Sequence, residues 1–257
     1  MSAFAEQVEN PRLEVVPGGW GGAESNEIHK IIAGVVKQFP APIAYGSRPS
    51  LQIRHRFGGP MIDYDRDTDG SIIIYLSARD DRWYQYVYQF AHEYCHVLAR
   101  FNQKQRGGDI VRDNQWFEES LCETASLYAV HRLGVDWSAD ADAQLRAAAI
   151  QLAQYLKQLA AEPQRQLDPG ANFVDWFASN QESLRRDPYH RELNELVAMQ
   201  LLPFFERNPD LWQALAYLNA PTPIPGQPFT AFLSTWEAAS PIAARPLIAQ
   251  IRSLFGQ

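Results

Sequence analysis

The first eighty residues mix helical and strand-like patterns of apolar positions. From Glu27 to Phe39 the apolar residues recur at helical spacing and Pro40 follows them, so we predict a helix there. Short runs of β-branched and other apolar residues predict strands, at Arg12 to Val16, Ile43 to Tyr45, Leu51 to Phe57 and Ser71 to Ser77. The last run is the clearest, because it is continuous and bounded by Gly70. The intervening GGPMIDYDRDTDG is rich in turn-forming residues and predicts turns.

After about Asp81 the pattern is helical to the end of the chain. Glycine and proline mark its breaks, at Gly107–Gly108, Gly134, Glu162 to Gly170 and Ala220 to Pro228. We therefore predict an α+β fold that begins with a small N-terminal lobe, residues 1–80, built on a mixed β-sheet. A mainly helical lobe, residues 81–257, completes the same functional unit, with the functional cleft between the two lobes.

Composition and charge argue against several classes of function. The chain has 257 residues, of which 46% are apolar and 21% charged, an ordinary globular mixture with enough length for a real core. Its net charge of −7, with the basic residues scattered, argues against a nucleic-acid surface. There is no run of eighteen apolar residues, so we expect no membrane-spanning segment.

The compartment is predicted from the N-terminal segment and the cysteines. MSAFAEQVENPRLEV has neither a basic start nor an apolar core, so it does not look like a signal peptide. The two cysteines, Cys95 and Cys122, are too few for a disulfide framework, and we expect buried free thiols. A cytoplasmic location is the default expectation. A secreted or periplasmic location stays open if a signal peptide was removed.

Candidate chemistry is concentrated in YQFAHEYCHVLARF, a segment with the apolar spacing of a helix. Inside it, HEYCH places His92 and His96 about 40° apart around the helix and one turn apart along it. One metal ion can take a ring nitrogen from each histidine, with Glu93 beside it. The alternative is a helix whose histidines are merely polar or partly buried, because HExxH occurs by chance in roughly one chain in a hundred of this length.

A catalytic zinc site of this kind needs a third protein ligand. The longer motif HExxHxxGxxH does not continue here, because Ala99 and Asn102 occupy its glycine and third histidine positions. The class of enzymes that uses this longer motif is therefore excluded. The other large class takes its third ligand from a glutamate on a following helix.

A suitable following helix is predicted from Asn114 to Leu133, ended by Gly134. It carries Glu118, Glu119 and Glu123. Glu119 and Glu123 share a face, so one can bind the metal while the other accepts a hydrogen bond from a liganding histidine. A solvated acidic face is the alternative, although the neighbouring residues are mostly apolar.

HEYCH followed by WFEESLCE resembles the gluzincins, the thermolysin-like and aminopeptidase-like zinc peptidases. In the thermolysin pattern the third ligand opens an ExxxD sequence, whereas Glu119 opens ExxxE here. In the aminopeptidases related to leukotriene hydrolase the third ligand lies in a segment that WFEE matches, and the match selects Glu119 over Glu118. The resemblance implies one Zn²⁺ per chain, bound by His92, His96 and Glu119, with Glu123 hydrogen-bonded to a liganding histidine.

A further resemblance begins at Asp187-Pro188-Tyr189-His190, which opens a long apolar helix. In the same aminopeptidases a tyrosine at such a helix start stabilises the oxyanion, which implies this role for Tyr189. His190 could instead take the role of a histidine in thermolysin-like enzymes. The aminopeptidase motif GAMEN is absent, so no anchor for a free amine carries over, and endopeptidase and exopeptidase activity both stay open.

The resemblance implies a zincin-like fold and a zinc-dependent metallopeptidase with Glu93 as general base. The strand at 71–77 precedes the motif helix as the edge strand does in zincins, so a peptide or protein substrate is expected to pair with Ile73, Ile74 and Tyr75. One alternative is a catalytically inactive zincin-fold protein with a binding or regulatory role. Another is a helical domain without metal.

Overall fold

The computed structural model describes residues 10–40, 49–105, 112–222 and 224–256, which form the predicted α+β fold. The predicted strand at Ile43 to Tyr45 and the predicted break at Gly107–Gly108 lie outside the described residues. One large cluster of buried side chains extends from the sheet, through Ile53 and Ile74, into the helices. None of the described helices combines the length and apolar character that crossing a membrane requires.

The four described strands form one mixed sheet. They are Leu13–Val15 (β1), Leu51–His55 (β2), Met61–Arg66 (β3) and Ile72–Leu76 (β4). Their order across the sheet is β1-β2-β4-β3. β1, β2 and β4 run parallel, and β3 runs antiparallel to β4. β3 therefore forms one edge of the sheet.

The prediction that Ile73, Ile74 and Tyr75 lie on an edge strand is wrong. They belong to β4, which pairs with β2 on one side and with β3 on the other. The β4 sequence IIIYL is a continuous apolar run, which is typical of a strand buried on both faces rather than of an edge. The edge is β3, within the segment that we predicted to form turns, and its charged residues are typical of an exposed edge.

Eight α-helices are described, and α1 confirms the helix predicted near residues 27–39. The helices are Ser25–Lys37 (α1), Trp83–Leu98 (α2), Gln115–Asp136 (α3), Ala143–Ala161 (α4), Phe173–Arg186 (α5), Arg191–Arg207 (α6), Phe229–Ala239 (α7) and Arg245–Leu254 (α8). Short 3₁₀ helices cover Phe101–Gln105, Pro163–Arg165 and Pro209–Tyr217.

α3 is the central helix of the helical part. Every residue from Gln115 to Val130 is buried, because α2, α4 and α6 pack around it. Three small hydroxyl residues on α3, Ser120, Thr124 and Ser126, each donate a hydrogen bond to the carbonyl four residues earlier, which satisfies these buried polar groups. The buried part of α3 therefore carries the glutamates that the sequence singled out.

α3 does not end at Gly134, as we predicted, but continues to Asp136. A Cβ built on Gly134 would lie 3.5 Å from the Cβ of Leu152 on α4, which is ordinary van der Waals contact. The glycine thus lies inside α3, where α4 packs against this helix. On the opposite flank α3 packs against α2, where Cys95 and Cys122 are buried and free, as predicted.

Candidate metal centre

The HEYCH residues occupy the last turns of α2, where this helix packs against α3. The rings of His92 and His96 lie one turn apart, with centroids separated by 5.2 Å. The His96 side chain is 8% exposed and that of His92 is 23% exposed, so the pair lies at the boundary between the core and solvent. Glu93, between them in sequence, is only 4% exposed.

Glu119 of α3 faces both rings. Its Oε2 lies 3.4 Å from Nε2 of His92 and 3.5 Å from Nε2 of His96. One ligand atom from each of the three residues lies within 4.8 Å of the others. Two atoms that each coordinate a tetrahedral zinc ion at about 2.0–2.2 Å are about 3.3–3.6 Å apart. The two separations between Glu119 and the histidines lie in this range, and the two ring nitrogens lie within 4.8 Å of each other.

Gln115 fixes the orientation of the Glu119 carboxylate. It lies one turn earlier on α3, is buried, and donates a hydrogen bond from Nε2 to Oε1 of Glu119 at 2.6 Å. Because Oε1 is held in this way, Oε2 is directed towards the histidines. We did not predict a role for Gln115, since a glutamine at the start of a helix carries no distinguishing pattern.

Glu118 accepts the hydrogen bond from a histidine that we had assigned to Glu123. Nδ1 of His96 lies 2.7 Å from Oε1 of Glu118. Glu118 is also 3.0 Å from the ammonium group of Lys104 and accepts a 2.8 Å hydrogen bond from Asn219. All three carboxylate partners are less than 9% exposed. The His96 ring therefore lies between two neighbouring carboxylates of α3, with one nitrogen directed at each.

Within the described residues Glu123 is hydrogen-bonded to neither His92 nor His96, so its predicted role is wrong. It instead accepts a hydrogen bond from the hydroxyl of Tyr88 and another, at 2.8 Å, from Arg165. The reason is the antiparallel packing of α2 and α3. Glu123 lies one turn after Glu119 on α3, and Tyr88 lies one turn before His92 on α2. In the antiparallel arrangement these two positions face each other.

The charges of this cluster hold one another in ionised form. Burial alone would raise the pKa of Glu119, but His96 and His92 hold it well below its usual value. Burial alone would lower the pKa of His96, but Glu119 and Glu118 raise it well above its usual value. Burial likewise would lower the pKa of Lys104, and Glu118 raises it. Buried charges are tolerated only when paired in this way.

The donor set also fits a divalent cation by charge. With both histidines neutral, as ligation requires, the remaining charged groups are the three carboxylates of Glu93, Glu118 and Glu119 and the ammonium of Lys104. Their sum is a net charge of −2, which a divalent cation balances. Two imidazoles and one carboxylate with an open side towards solvent form the ligand type of a catalytic zinc site.

Glu93 has the environment of a general base. Burial raises its pKa, against the opposing effect of His92 and His96. A raised pKa brings a carboxylate closer to the range in which it can take up and release a proton near neutral pH. A backbone hydrogen bond from Ile62 also reaches Glu93, so the edge strand β3 lies directly beside it.

Tyr189 and His190 lie just before α6, as predicted, and Tyr189 interacts electrostatically with Glu119 of the cluster. Burial and then the charge of Glu119 raise the pKa of Tyr189, whose side chain remains 56% exposed. His190 precedes the first residue of α6, and no hydrogen bond or ion pair joins its side chain to the three ligands in the described ranges. The oxyanion role of either residue stays a prediction.

The comparisons with known proteins return no relative. No family model, no curated protein and no solved structure matches this chain. The likeness to zinc peptidases therefore depends on the residues of the cluster themselves: the two histidines, Glu119, Glu93 and the carboxylate behind His96.

Proposed function

We propose that the protein is a zinc-dependent metallopeptidase. The observation that carries this proposal is that one carboxylate oxygen of Glu119 lies 3.4 Å from Nε2 of His92 and 3.5 Å from Nε2 of His96, separations that suit ligands of a tetrahedral zinc ion. A coincidental HExxH would not require a second helix to present a carboxylate, held by Gln115, to both ring nitrogens. We infer one Zn²⁺ per chain.

Each residue of the cluster has a distinct task in this proposal. His92, His96 and Glu119 would hold the zinc ion, which when bound would lower the pKa of a water to about 7 and act as a Lewis acid. Glu93 would take up a proton from the attacking water and pass it to the leaving amine. Tyr189 donates a hydrogen bond to the tetrahedral oxyanion. Glu118 fixes the ring orientation of His96.

The substrate is a peptide or protein segment that pairs with β3. β3 is an edge strand next to Glu93, and its position at the end of the sheet leaves backbone groups on its outer side for another strand. This assignment replaces the one made from the sequence for β4. The small mixed sheet packs against the motif helix through β3 and β4, and this arrangement supports the proposal.

The first test is the zinc content of purified protein, measured by elemental mass spectrometry. We expect close to one zinc per chain in the wild type and far less in Glu119→Ala, because two imidazoles alone leave the ion poorly held. Asp136→Ala is the matched control, since it removes a carboxylate at the far, partly exposed end of the same helix. A wild type that binds no zinc even when zinc is supplied would sink the proposal.

Metal content does not by itself establish hydrolysis. A peptide library incubated with zinc-loaded protein, with and without chelator, is expected to show chelator-sensitive cleavage. Zinc binding without cleavage of any peptide would favour the alternative of a catalytically inactive binding or regulatory protein.

The hydrogen bond from His96 to Glu118 gives a second prediction. Glu118→Gln should weaken zinc affinity by about tenfold to a hundredfold, because the imidazole loses the carboxylate that orients it and increases its basicity. The measurement is competition against a chelator of known affinity.

Lys104 provides the control for this variant. Glu118→Gln also removes the counter-charge of Lys104, which is only 4% exposed, so stability should fall as well. The double variant Lys104→Met/Glu118→Gln should recover much of the stability but not the zinc affinity. Unchanged affinity in both variants would contradict the assigned role of Glu118.

A further inference from the structure

A cavity of about 410 Å³ opens beside the metal ligands, within the size range of small-ligand sites. It shares His92 and Glu93 with the candidate metal centre, so whatever occupies it lies next to the reacting bond. Pro60, just before β3, forms one wall, and α4 and α6 contribute Tyr155 and Arg191 to the others. The cavity is thus on the path of a peptide paired with β3.

Glu123 lines this cavity and is its most buried charged group apart from Glu93. As a whole residue it is 7% exposed, and the hydrogen bonds that it accepts from Tyr88 and Arg165 both go to Oε1. Within the described residues Oε2 therefore remains available as an acceptor. A carboxylate oxygen in so buried a position favours a cationic or hydrogen-bond-donating partner.

The ionised groups around the cavity, apart from those of the metal centre, carry a net charge of −1. Arg165 is shared by three carboxylates, Glu123, Glu162 and Glu195, and lies within 2.9 Å of each. Arg191 adds a second positive charge, bonded to Glu195 at 2.7 Å. Three carboxylates and two guanidinium groups sum to −1, separately from the groups that a divalent cation balances.

Among the described residues that line the cavity, the positive charge is that of Arg191, and its exposed position weakens its electrostatic effect. The side chain of Arg191 is 75% exposed, so solvent and salt screen its charge. The side chain of Glu123 is 9% exposed, where charges interact more strongly. The rings of Tyr88 and Tyr155, with centroids 5.5 Å apart, form an aromatic wall that suits an alkyl stem or a cation.

We propose that this cavity binds a cationic group of the substrate next to the scissile bond, with Glu123 as the carboxylate that receives it. The group is the side chain of lysine or arginine, or a free N-terminal ammonium. The proposal rests on the peptidase function proposed above and names its substrate class: peptides with a positive charge beside the cleaved bond.

The test compares matched peptides on the zinc-loaded full-length protein. One series places lysine, norleucine or glutamate on either side of the scissile bond with both termini blocked. A second series keeps neutral side chains and compares free with acetylated N-termini, which separates a side-chain cation from a terminal one. We expect kcat/KM for one of the two cationic series to exceed that of its uncharged match by at least about tenfold.

Two variants then assign the selectivity to residues. Glu123→Gln should bring the ratio of cationic to uncharged substrate close to one. Arg191→Gln removes the like charge at the exposed rim and should raise the same ratio. Circular dichroism and zinc content check the fold of Glu123→Gln. If Glu123→Gln is unstable, the proposal is decided by Arg191→Gln, for which an unchanged ratio would contradict it.

Binding of intact peptides separates failure of this proposal from failure of the peptidase function. Dissociation constants of the same peptides are measured by calorimetry on Glu93→Gln. Cleavage or binding without preference for the cation, or with preference for glutamate, overturns the inference and leaves the peptidase function standing. A cation preference in binding with no cleavage by the wild type supports the cavity assignment and overturns the peptidase function.

Discussion

Glu93→Gln should lower kcat/KM for peptide hydrolysis by a factor of about 10²–10⁴ while the zinc content stays near that of the wild type. Glutamine has nearly the same shape, so it can keep the contact with the backbone of Ile62 and the packing of α2. It cannot take up the proton of the attacking water. The measurement is steady-state kinetics with a cleaved peptide, alongside elemental analysis of the same sample.

The matched control for this variant is Glu206→Gln. Glu206 is a partly exposed carboxylate on α6 that pairs with His131. His131 lies twelve residues beyond Glu119 on α3, which is about 18 Å along the helix, so we expect wild-type kinetics. If Glu93→Gln cleaved peptides as fast as the wild type, the assignment of Glu93 as general base would be wrong, whatever the metal content.

The clustering of His92, His96 and Glu119 could be predicted from the sequence because its geometry is mostly local. Residues four apart on any α-helix lie on one face, so HEYCH defined the position of two imidazoles without knowledge of the fold. The third ligand required only that a second helix carry a glutamate. The WFEE resemblance then selected Glu119, and the structure directs its Oε2 at both histidines.

The partner of His96 could not be predicted, because it depends on how two helices are rotated against each other. Glu118 and Glu119 are separated by about 100° around α3, and Glu119 and Glu123 by about 40°. The smaller angle favoured Glu123. The structure instead inserts the His96 ring between the two adjacent glutamates, supported by Lys104 and Asn219 from other segments. No spacing within one helix encodes such contacts.

The edge strand was missed for a related reason. β4 was recognised as a strand from its apolar run, but its place in the sheet depends on β3, whose MIDYDR sequence lies among turn-forming residues. Half of β3 is charged, and its flanks contain Gly59, Pro60 and Asp67. Polar composition lowers the signal of a strand and at the same time suits an exposed edge. The polar composition that suits β3 to the edge of the sheet thus also weakened its strand signal in the sequence.

Arg165→Met should lower the free energy of unfolding by about 3–5 kcal/mol, the largest loss of stability that we expect from a single substitution outside the metal ligands. The guanidinium of Arg165 is completely buried and lies 2.8 Å from Glu123 and 2.9 Å from Glu195. Methionine fills much of the same space but leaves two carboxylates in the interior with less than their native counter-charge. Urea unfolding followed by tryptophan fluorescence measures the change.

Two comparisons show whether the buried charges are the cause. Arg185→Met removes an arginine that also makes two ion pairs, with Glu182 and Asp113, but whose side chain is 48% exposed; its stability should change little. Adding Glu123→Gln to Arg165→Met should restore part of the lost stability, because it removes one of the two carboxylates that have lost their counter-charge. A loss that is equal with and without Glu123→Gln would point to packing rather than charge. Such a result would also count against the cation-binding cavity, because its net negative charge depends on three carboxylates sharing the one charge of Arg165.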